Sequence, residues 1–350
     1  MKTTDFDYQL PSHLVAQTPI EPRDASRLMV LYREDGGITH SRFHQIGEYL
    51  RSGDLLVCND SRVILARLLG RKVPTGGKVE LLLIVKRQDN LWEALIRGRR
   101  VKVGGQVEFL GRDGGSSTPT LRAEILEPTP AGGRLVRFER EVEPFLGQLG
   151  SVPLPPYIQE SLEDAERYQT VYARTNGSVA APTAGLHFTS QLMADLDTGG
   201  IEFAFLTLHI GLDTFRPVRV ERLEDHQIHT EYCQVTAALT SVVNRAKAEG
   251  RRVIAAGTTA VRALETAARG PLVTDADVIV PFEGWTDLFI YPGYPFRVVD
   301  GLITNFHLPR STLLMLVAAF TGKKLLDRAY REAVKHEYRF FSFGDAMLIL

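Results

Sequence analysis

The stretch RRVIAAGTTAVRALETAARG, residues 251–270, decides the fold class. Its apolar run VIAA has the length of a buried strand, GTT forms a turn, and the residues that follow repeat apolar positions at helical spacing. The stretch IEFAFLTLHIG, residues 201–211, likewise predicts a buried strand that ends in a loop. Because strands that alternate with helices are typical of α/β proteins, we predict an α/β domain.

A different pattern occupies residues 63–151. Short β-rich runs are separated there by glycine pairs, which predicts a small antiparallel β-barrel. The proline-rich SVPLPPYI, residues 151–158, comes next and suits a crossing between domains, because proline restricts its own backbone and that of its neighbour. We therefore predict a large barrel-like α/β domain made of residues 1–62 and 152–350, with 63–151 inserted as the β-barrel domain.

Composition excludes several classes of protein. The chain has 350 residues, of which 44% are hydrophobic, enough for a large core and too many for a disordered chain. The longest apolar run, 313–320, is too short to span a bilayer and follows Ser311 and Thr312 as a capped helix would. Acidic residues near the start argue against a signal peptide, and Cys58 and Cys233 form no CxxC pair. These features predict a cytoplasmic protein without a membrane span or a disulfide framework.

Charge is divided unevenly along the chain. The formal net charge is −1, but residues 63–151 carry +5 and the rest carries −6. The densest basic cluster of the insert is Arg97, Arg99, Arg100 and Lys102, in a predicted turn between strands. This basic cluster could bind phosphates, or it could be a charged loop facing solvent, since phosphate contacts leave no sequence signature.

Small and polar residues gather where strands are predicted to end. SVAAPTAGLHFT, residues 178–189, is poor helix and strand material and carries His187, while LTLHIGLDTF, residues 206–215, carries His209 and Asp213. In α/β folds ligands bind outside the carboxyl ends of strands, so both loops are candidate site walls. In 255–265, Gly257, Thr258 and Thr259 could offer amides and hydroxyls to an anion, or they could form an ordinary helix cap.

Histidine pairs raise the alternative of a metal site. HQIH, residues 226–229, would place two imidazoles on one face if the segment were helical, but no third ligand is signalled. TNFHLPRST, residues 304–312, adds His307 before a helix, and YRFFSFGDAMLIL, residues 338–350, ends the chain with aromatic residues that suit a core strand. A metal-dependent hydrolase built from the imidazoles and a noncatalytic RNA-binding protein built on the basic insert remain alternatives.

Taken together, the longer motifs closely resemble the S-adenosylmethionine:tRNA ribosyltransferase-isomerase family of queuosine biosynthesis, in order and over nearly the whole chain. The phrases that carry the resemblance are DFDYQLPSHLVAQTP, RDASRLMV, GDLLVCNDSRV, LPPYI, YQTVYA, GSVAAPTAGLHFT, LTLHIG, TFRPVRV, EDHQIHTEY, AAGTTAVRALE, FIYPGYPFRVVDGLITNFHLPRSTLLMLVAAFTG and YRFFSFGDAMLIL. Two departures occur: Ile64-Leu65 where the family usually has Ile-Pro, and Asp213 where a glycine is expected.

The resemblance implies transfer of the ribosyl moiety of S-adenosylmethionine to 7-aminomethyl-7-deazaguanine (preQ1) at the wobble position of tRNA, with release of adenine and methionine. S-adenosylmethionine would be the cosubstrate and tRNA the partner, with no metal, membrane or obligatory protein partner expected. The predicted catalytic residues are His187, His209, His229 and His307. The predicted substrate-binding residues are Arg23, Asp24, Arg27, Asn59, Thr183, Gly185, Gly211, Thr258, Thr259, Arg262, Asn305 and Asp345.

Overall fold

The computed structural model describes residues 1–111, 120–129, 132–211, 217–269 and 278–350. The chain divides into two compact units, one formed by Met1–Arg62 with Pro155–Leu350 and the other by Val63–Leu154. The return to the larger unit at Pro155 falls within the proline-rich SVPLPPYI segment. Asp213 and Arg216 lie outside the described residues.

The elements within these residues are short. The strands, in chain order, are β1 (Arg27–Leu31), β2 (Ile38–Arg42), β3 (Leu55–Asn59), β4 (Ser61–Val63), β5 (Arg67–Val73), β6 (Lys78–Gln88), β7 (Leu91–Arg97), β8 (Gln106–Phe109), β9 (Leu121–Pro128), β10 (Arg134–Phe138), β11 (Gly150–Ser151), β12 (Thr175–Ser178), β13 (Glu202–Leu208), β14 (Glu231–Val235), β15 (Val253–Ala256), β16 (Phe282–Thr286), β17 (Gly301–Asn305) and β18 (Ala346–Ile349). The α-helices are α1 (Leu146–Leu149), α2 (Ser190–Thr198), α3 (Ala237–Ala248), α4 (Thr258–Ala267), α5 (Thr312–Thr321) and α6 (Lys323–Lys335).

A nine-stranded mixed sheet, counted over the described residues, organises the larger unit. Its order is β16-β14-β13-β3-β15-β17-β18-β1-β2, with β16 and β2 at the edges. The four central strands β13, β3, β15 and β17 are parallel to their neighbours in this run. Their carboxyl ends therefore lie at the same edge of the sheet.

Both faces of β3, β15 and β17 are buried, which explains their nearly continuous apolar sequences. Alternate residues of β3 enter opposite cores: Leu55 and Val57 pack in the core that contains residues of α3 to α6, and Leu56 and Cys58 pack in the core that contains residues of α2. The sheet thus separates two apolar layers. Polar site residues are therefore expected at the ends of its strands and not on its faces.

Side-chain caps fix where three of these helices begin. Thr189, Thr236 and Ser311 each accept a hydrogen bond from the backbone amide three residues later, at the starts of α2, α3 and α5. The cap at Ser311 confirms the capped helix predicted from the sequence around residue 312.

The smaller unit is an antiparallel barrel. Six strands follow the order β5-β6-β7-β10-β9-β8, and pairing between β5 and β8 closes the ring. Alternate side chains of its strands, among them Leu81, Leu83, Val107 and Phe109, are buried. The α/β class with an inserted antiparallel β-barrel is therefore confirmed, while the large sheet keeps two edge strands over the part of the chain described.

Local predictions agree with the structure in most places. The 251–270 stretch forms β15, a turn and α4, and the C-terminal phrase supplies the buried strand β18. The HQIH segment is the exception, because His226 and His229 lie in a non-helical connection between a 3₁₀ turn and β14. The helical spacing considered for a metal pair does not exist there.

Glu265 of α4 anchors the segment that leads into β17. It is fully buried and accepts hydrogen bonds from the Tyr294 hydroxyl and from the backbone amides of residues 297–299.

Because Glu265→Ala leaves several buried donors unsatisfied, we expect it to lower the free energy of unfolding by about 3 kcal/mol or more, with Glu265→Gln costing less. Urea unfolding checks this, with the exposed Glu163→Ala as control. Equal midpoints for the Glu265→Ala and Glu163→Ala variants would contradict it.

Candidate active site

The predicted site loops meet at one edge of the nine-stranded sheet. The parallel strands β13, β3, β15 and β17 end there, at Leu208, Asn59, Ala256 and Asn305. Strands β18 and β1 run in the opposite direction to β17, so they begin at this edge, and Ala346 pairs with both Asn305 and Leu28. Distant parts of the sequence are thereby brought together at the position where open α/β sheets bind ligands.

The loop that carries His187 is tied to the end of β17. The Thr183 hydroxyl donates to Asn305 Oδ1 at 3.0 Å, and Asn305 Nδ2 donates to His187 Nε2 at 3.1 Å. Since Nε2 accepts, Nδ1 carries the ring proton and bonds Ser26 Oγ at 2.7 Å. The ring also stacks on Phe43, with centroids 5.0 Å apart. Both nitrogens of His187 are therefore engaged, and the ring orientation is fixed.

Burial keeps two of the predicted histidines neutral. It lowers the pKa of His187 to about 3, and the positive charges of Arg339 and Arg23 contribute to the shift. Burial alone lowers the pKa of His307 to about 3. His307 Nε2 bonds the Thr304 hydroxyl at 2.7 Å. Both imidazoles resist protonation at neutral pH.

His209 has a different environment. It follows β13, and its ring stacks on Tyr232 with centroids 5.7 Å apart and an angle of 18° between planes. Gly177 packs against the ring, since a Cβ there would lie 2.7 Å from His209 Nε2. His209 Nδ1 is buried and has no hydrogen-bond partner within the part of the chain that the structure describes. Burial lowers the pKa of His209, and the carboxylate of Asp60 opposes that shift.

Asp60 holds the neighbourhood of His209 in place. Its side chain is buried, accepting from the Thr207 hydroxyl at 2.7 Å and from Arg174 Nε at 2.6 Å. Thr207 lies two residues before His209, on the same side of the extended chain. The sequence prediction missed Asp60, although it directly follows Asn59 in GDLLVCNDSRV, where a carboxylate at a strand end is a usable signal.

The predicted residues Asn59 and Thr259 form a buried bridge between elements. Asn59 Nδ2 donates to the Thr259 hydroxyl at 3.2 Å and to the Leu208 carbonyl at 2.9 Å, while its Oδ1 accepts from the amides of Leu208 and Ser61. Thr258, beside Thr259, is also buried at the start of α4. Asn59 therefore joins β3, β13 and α4, and its polar atoms are engaged by the protein.

Arg262 forms a buried ion pair with Glu231 at the same edge. Arg262 Nη1 contacts Glu231 Oε2, and Nε donates to the Leu288 carbonyl at 3.0 Å. The other oxygen of Glu231 accepts from the Gly211 amide at 3.0 Å, which holds the backbone two residues after His209. Arg262 Nη2 is buried and has no hydrogen-bond partner in the described ranges.

Several other predicted residues form hydrogen bonds with backbone groups of the protein. Asp345 accepts from the amides of Arg27 and Arg339, and Arg27 binds the carbonyls of residues 336 and 337. Arg23 donates to the carbonyls of Gln169 and Glu166.

The remaining three predicted residues differ in their surroundings. Asp24 accepts from the hydroxyl of Thr189, the N-cap of α2. Gly185 is required by packing, because a Cβ there would collide with the hydroxyl of Tyr172. His229 is exposed, unlike the other predicted histidines.

Two absences within the described ranges bear on the alternatives. No group of three or more His, Cys, Asp and Glu side chains there is arranged to hold a metal ion, so the five histidines considered for a hydrolase do not form such a cluster. Within the same ranges, no helix is both long and apolar enough to cross a membrane.

Comparison with known proteins agrees with this arrangement. Residues 3–349 match the family described as "Queuosine biosynthesis protein". The S-adenosylmethionine:tRNA ribosyltransferase-isomerases of Moorella thermoacetica and Staphylococcus haemolyticus are 53% and 51% identical, each match covering 100% of both chains. The crystal structure of S-adenosylmethionine tRNA ribosyltransferase from Thermotoga maritima is 40% identical, with a TM-score of 0.56 over 99% of this chain and 100% of that one. The resemblance predicted from the motifs is therefore confirmed, and the chain belongs to the queuosine biosynthesis protein family of S-adenosylmethionine:tRNA ribosyltransferase-isomerases.

Proposed function

We propose that the chain transfers the ribosyl moiety of S-adenosylmethionine to preQ1 at the wobble position of tRNA and isomerises it, giving epoxyqueuosine-tRNA, adenine and methionine. Identity of 50–53% over complete relatives that bear this enzyme name carries the proposal. Incubating the protein with S-adenosylmethionine and preQ1-containing tRNA tests it. Mass spectrometry should detect adenine and epoxyqueuosine, and the absence of both with well-folded protein would reject the function.

The reaction asks the protein for proton transfer and charge placement. The sulfonium acidifies the C–H bond beside it, so a base can remove that proton before adenine leaves and the preQ1 amine attacks. Imidazoles supply such proton transfer near neutral pH, and the path does not require a metal ion. A tRNA substrate also agrees with the cytoplasmic location expected from the sequence.

We assign the proton transfer to His209. Among the described residues its Nδ1 has no hydrogen-bond partner, whereas both nitrogens of His187 and Nε2 of His307 are hydrogen-bonded. Burial holds the pKa values of His187 and His307 at about 3, so these two rings are weak bases. His187, Asn305 and Thr183 are then positioning residues that hold the 183–187 loop over the end of β17.

The start of α4 is proposed to bind the carboxylate of S-adenosylmethionine. The first amides of a helix have no partner within the helix and favour an anion. Gly257 lies just before α4, and the position of its absent Cβ is 3.7 Å from Ala184 of the 183–187 loop, so two predicted site walls meet there. Glu231, which is paired with Arg262, holds the amide of Gly211 two residues after His209.

The larger unit is thus proposed as the catalytic domain and the barrel as a tRNA contact. The basic cluster begins at Arg97, the last residue of β7, and continues with Arg99, Arg100 and Lys102; all four residues are exposed. Their side chains form no ion pair with the described part of the chain, so their charge is available to phosphates.

Replacing His209 tests the assignment of the base. General base catalysis contributes about 10²- to 10⁴-fold, so His209→Ala should lower kcat at least a hundredfold. The exposed His13→Ala variant serves as control and should stay within about threefold of the wild type. Adenine release measures turnover, and binding of S-adenosylmethionine should be retained. A His209→Ala enzyme with turnover within about threefold of wild type would assign the proton to another group.

Asp60 provides a pH-dependent test. A base must be neutral, so activity should fall as pH drops through the pKa of His209, below the ordinary value of 6.5. Because the Asp60 charge favours imidazolium, Asp60→Asn should move the acid limb of kcat/KM to lower pH. The pH profile of adenine release measures this shift. If the rate fell but the acid limb of kcat/KM stayed at the same pH, Asp60 would act only by holding Thr207 and Arg174 in position.

The basic cluster can be tested by salt dependence. Replacing its four residues with Gln should weaken tRNA binding and flatten its salt dependence, by a slope of about 0.7 to 0.9 in log affinity against log salt for each phosphate that is no longer neutralised. Binding of S-adenosylmethionine should not change. Arg137→Gln, at another exposed barrel position, measures the effect of removing a cation elsewhere. An unchanged slope would show that the basic cluster does not contact phosphates of the tRNA.

A further inference from the structure

An exposed tryptophan stands at the edge of the sheet next to the proposed site. Trp285 lies on the edge strand β16 and is 48% exposed, although burying an aromatic side chain of this size is normally favourable. The buried residues of neighbouring β14, Cys233 and Val235, belong to the core on the opposite face of the sheet. Trp285 therefore lies on the face of the sheet opposite that core and does not belong to it.

Trp285 is the outer member of a row of three rings. It pairs with Tyr232 across β16 and β14, and their ring centroids are 6.0 Å apart in an edge-to-face arrangement. Tyr232 in turn stacks on His209, whose amide donates to the Tyr232 carbonyl at 2.9 Å. The row thus runs from the exposed sheet edge to His209.

The polar groups beside the row favour a base over a phosphate. Glu283 is exposed two residues before Trp285 and accepts hydrogen bonds from the Tyr232 hydroxyl at 2.7 Å and from Gln234 Nε2 at 3.2 Å. These bonds lower the pKa of Glu283, so it is a carboxylate at neutral pH. A carboxylate repels phosphate but can accept from the N–H groups on the edge of a nucleobase.

We propose that Trp285 and Tyr232 form a stacking platform for an unpaired nucleotide of the tRNA anticodon loop, adjacent to the base presented to His209. Enzymes that act on a base must separate it from its stacked neighbours, and aromatic side chains replace that stacking. The platform rests on the proposed function, because it assigns part of the tRNA to this surface. It adds two residues that the sequence analysis did not single out.

Fluorescence can observe the platform directly. The chain has two tryptophans, and Trp92 is buried in the barrel, so Trp92→Phe leaves Trp285 as the only one. Titrating this variant with a preQ1-containing anticodon stem-loop RNA should quench the fluorescence as a base stacks on the indole. In Trp285→Phe, which retains only Trp92, the same RNA should cause little quenching. Saturating RNA that leaves Trp285 fluorescence unchanged would overturn the proposal.

Kinetics provide the second measurement. Stacking contributes enough per base for Trp285→Ala to raise KM for tRNA by roughly five- to a hundredfold, while KM for S-adenosylmethionine stays unchanged and Trp285→Phe retains most of the affinity. Val171→Ala removes another exposed apolar side chain of the larger unit and should have no effect.

The outcomes separate this inference from the proposed function. A Trp285→Ala enzyme with unchanged KM for tRNA would reject the platform while leaving the function intact. If that variant instead changed the oligomeric state in size-exclusion chromatography at unchanged KM, the surface would be a contact between copies of the chain. Failure of the wild type to bind or modify the RNA would reject the function itself.

Discussion

The geometry of the candidate site depends on the buried side chain of Asn59. Where β3 ends and β13 turns away, backbone groups lose their ladder partners, and an unsatisfied polar group would be costly at this depth. Asn59 supplies two acceptor bonds and two donor bonds, which link Leu208, Ser61 and Thr259. Because His209 follows Leu208 and Thr259 lies in the first turn of α4, this amide fixes the spacing between the proposed base and the proposed anion site.

Much of the fold follows from local sequence, and the candidate site follows in part. The 251–270 stretch predicts β15 and α4 because strand and helix periodicities are local properties. The polar loops could be placed at one edge because parallel strands end together. The sequence could not show that Asp60 lies beside His209, or that Glu231 pairs with Arg262. Those contacts join residues far apart in the chain, and only tertiary packing determines them.

The same limit applies to the roles of the histidines. His187, His209 and His307 occur in similar small-polar phrases, so sequence alone treats them alike. In the structure, Asn305 and Ser26 engage both nitrogens of His187, while Nδ1 of His209 has no partner among the described residues. The proposed assignment of the base therefore depends on which ring nitrogen lacks a hydrogen-bond partner, and that is a property of side-chain geometry rather than of residue type.

The proposed recognition of the tRNA divides between two kinds of physical interaction. Phosphate binding by the basic cluster on the barrel is electrostatic, so it weakens as salt rises and carries no information about the base. Stacking on Trp285 and Tyr232 depends on the base being unpaired, and no counterions are released in forming it. A negatively charged large unit is compatible with this division, because its proposed surface contacts a neutral base beside the carboxylate of Glu283. Under these proposals the barrel supplies affinity for any tRNA, while discrimination for an exposed anticodon-loop base arises beside His209.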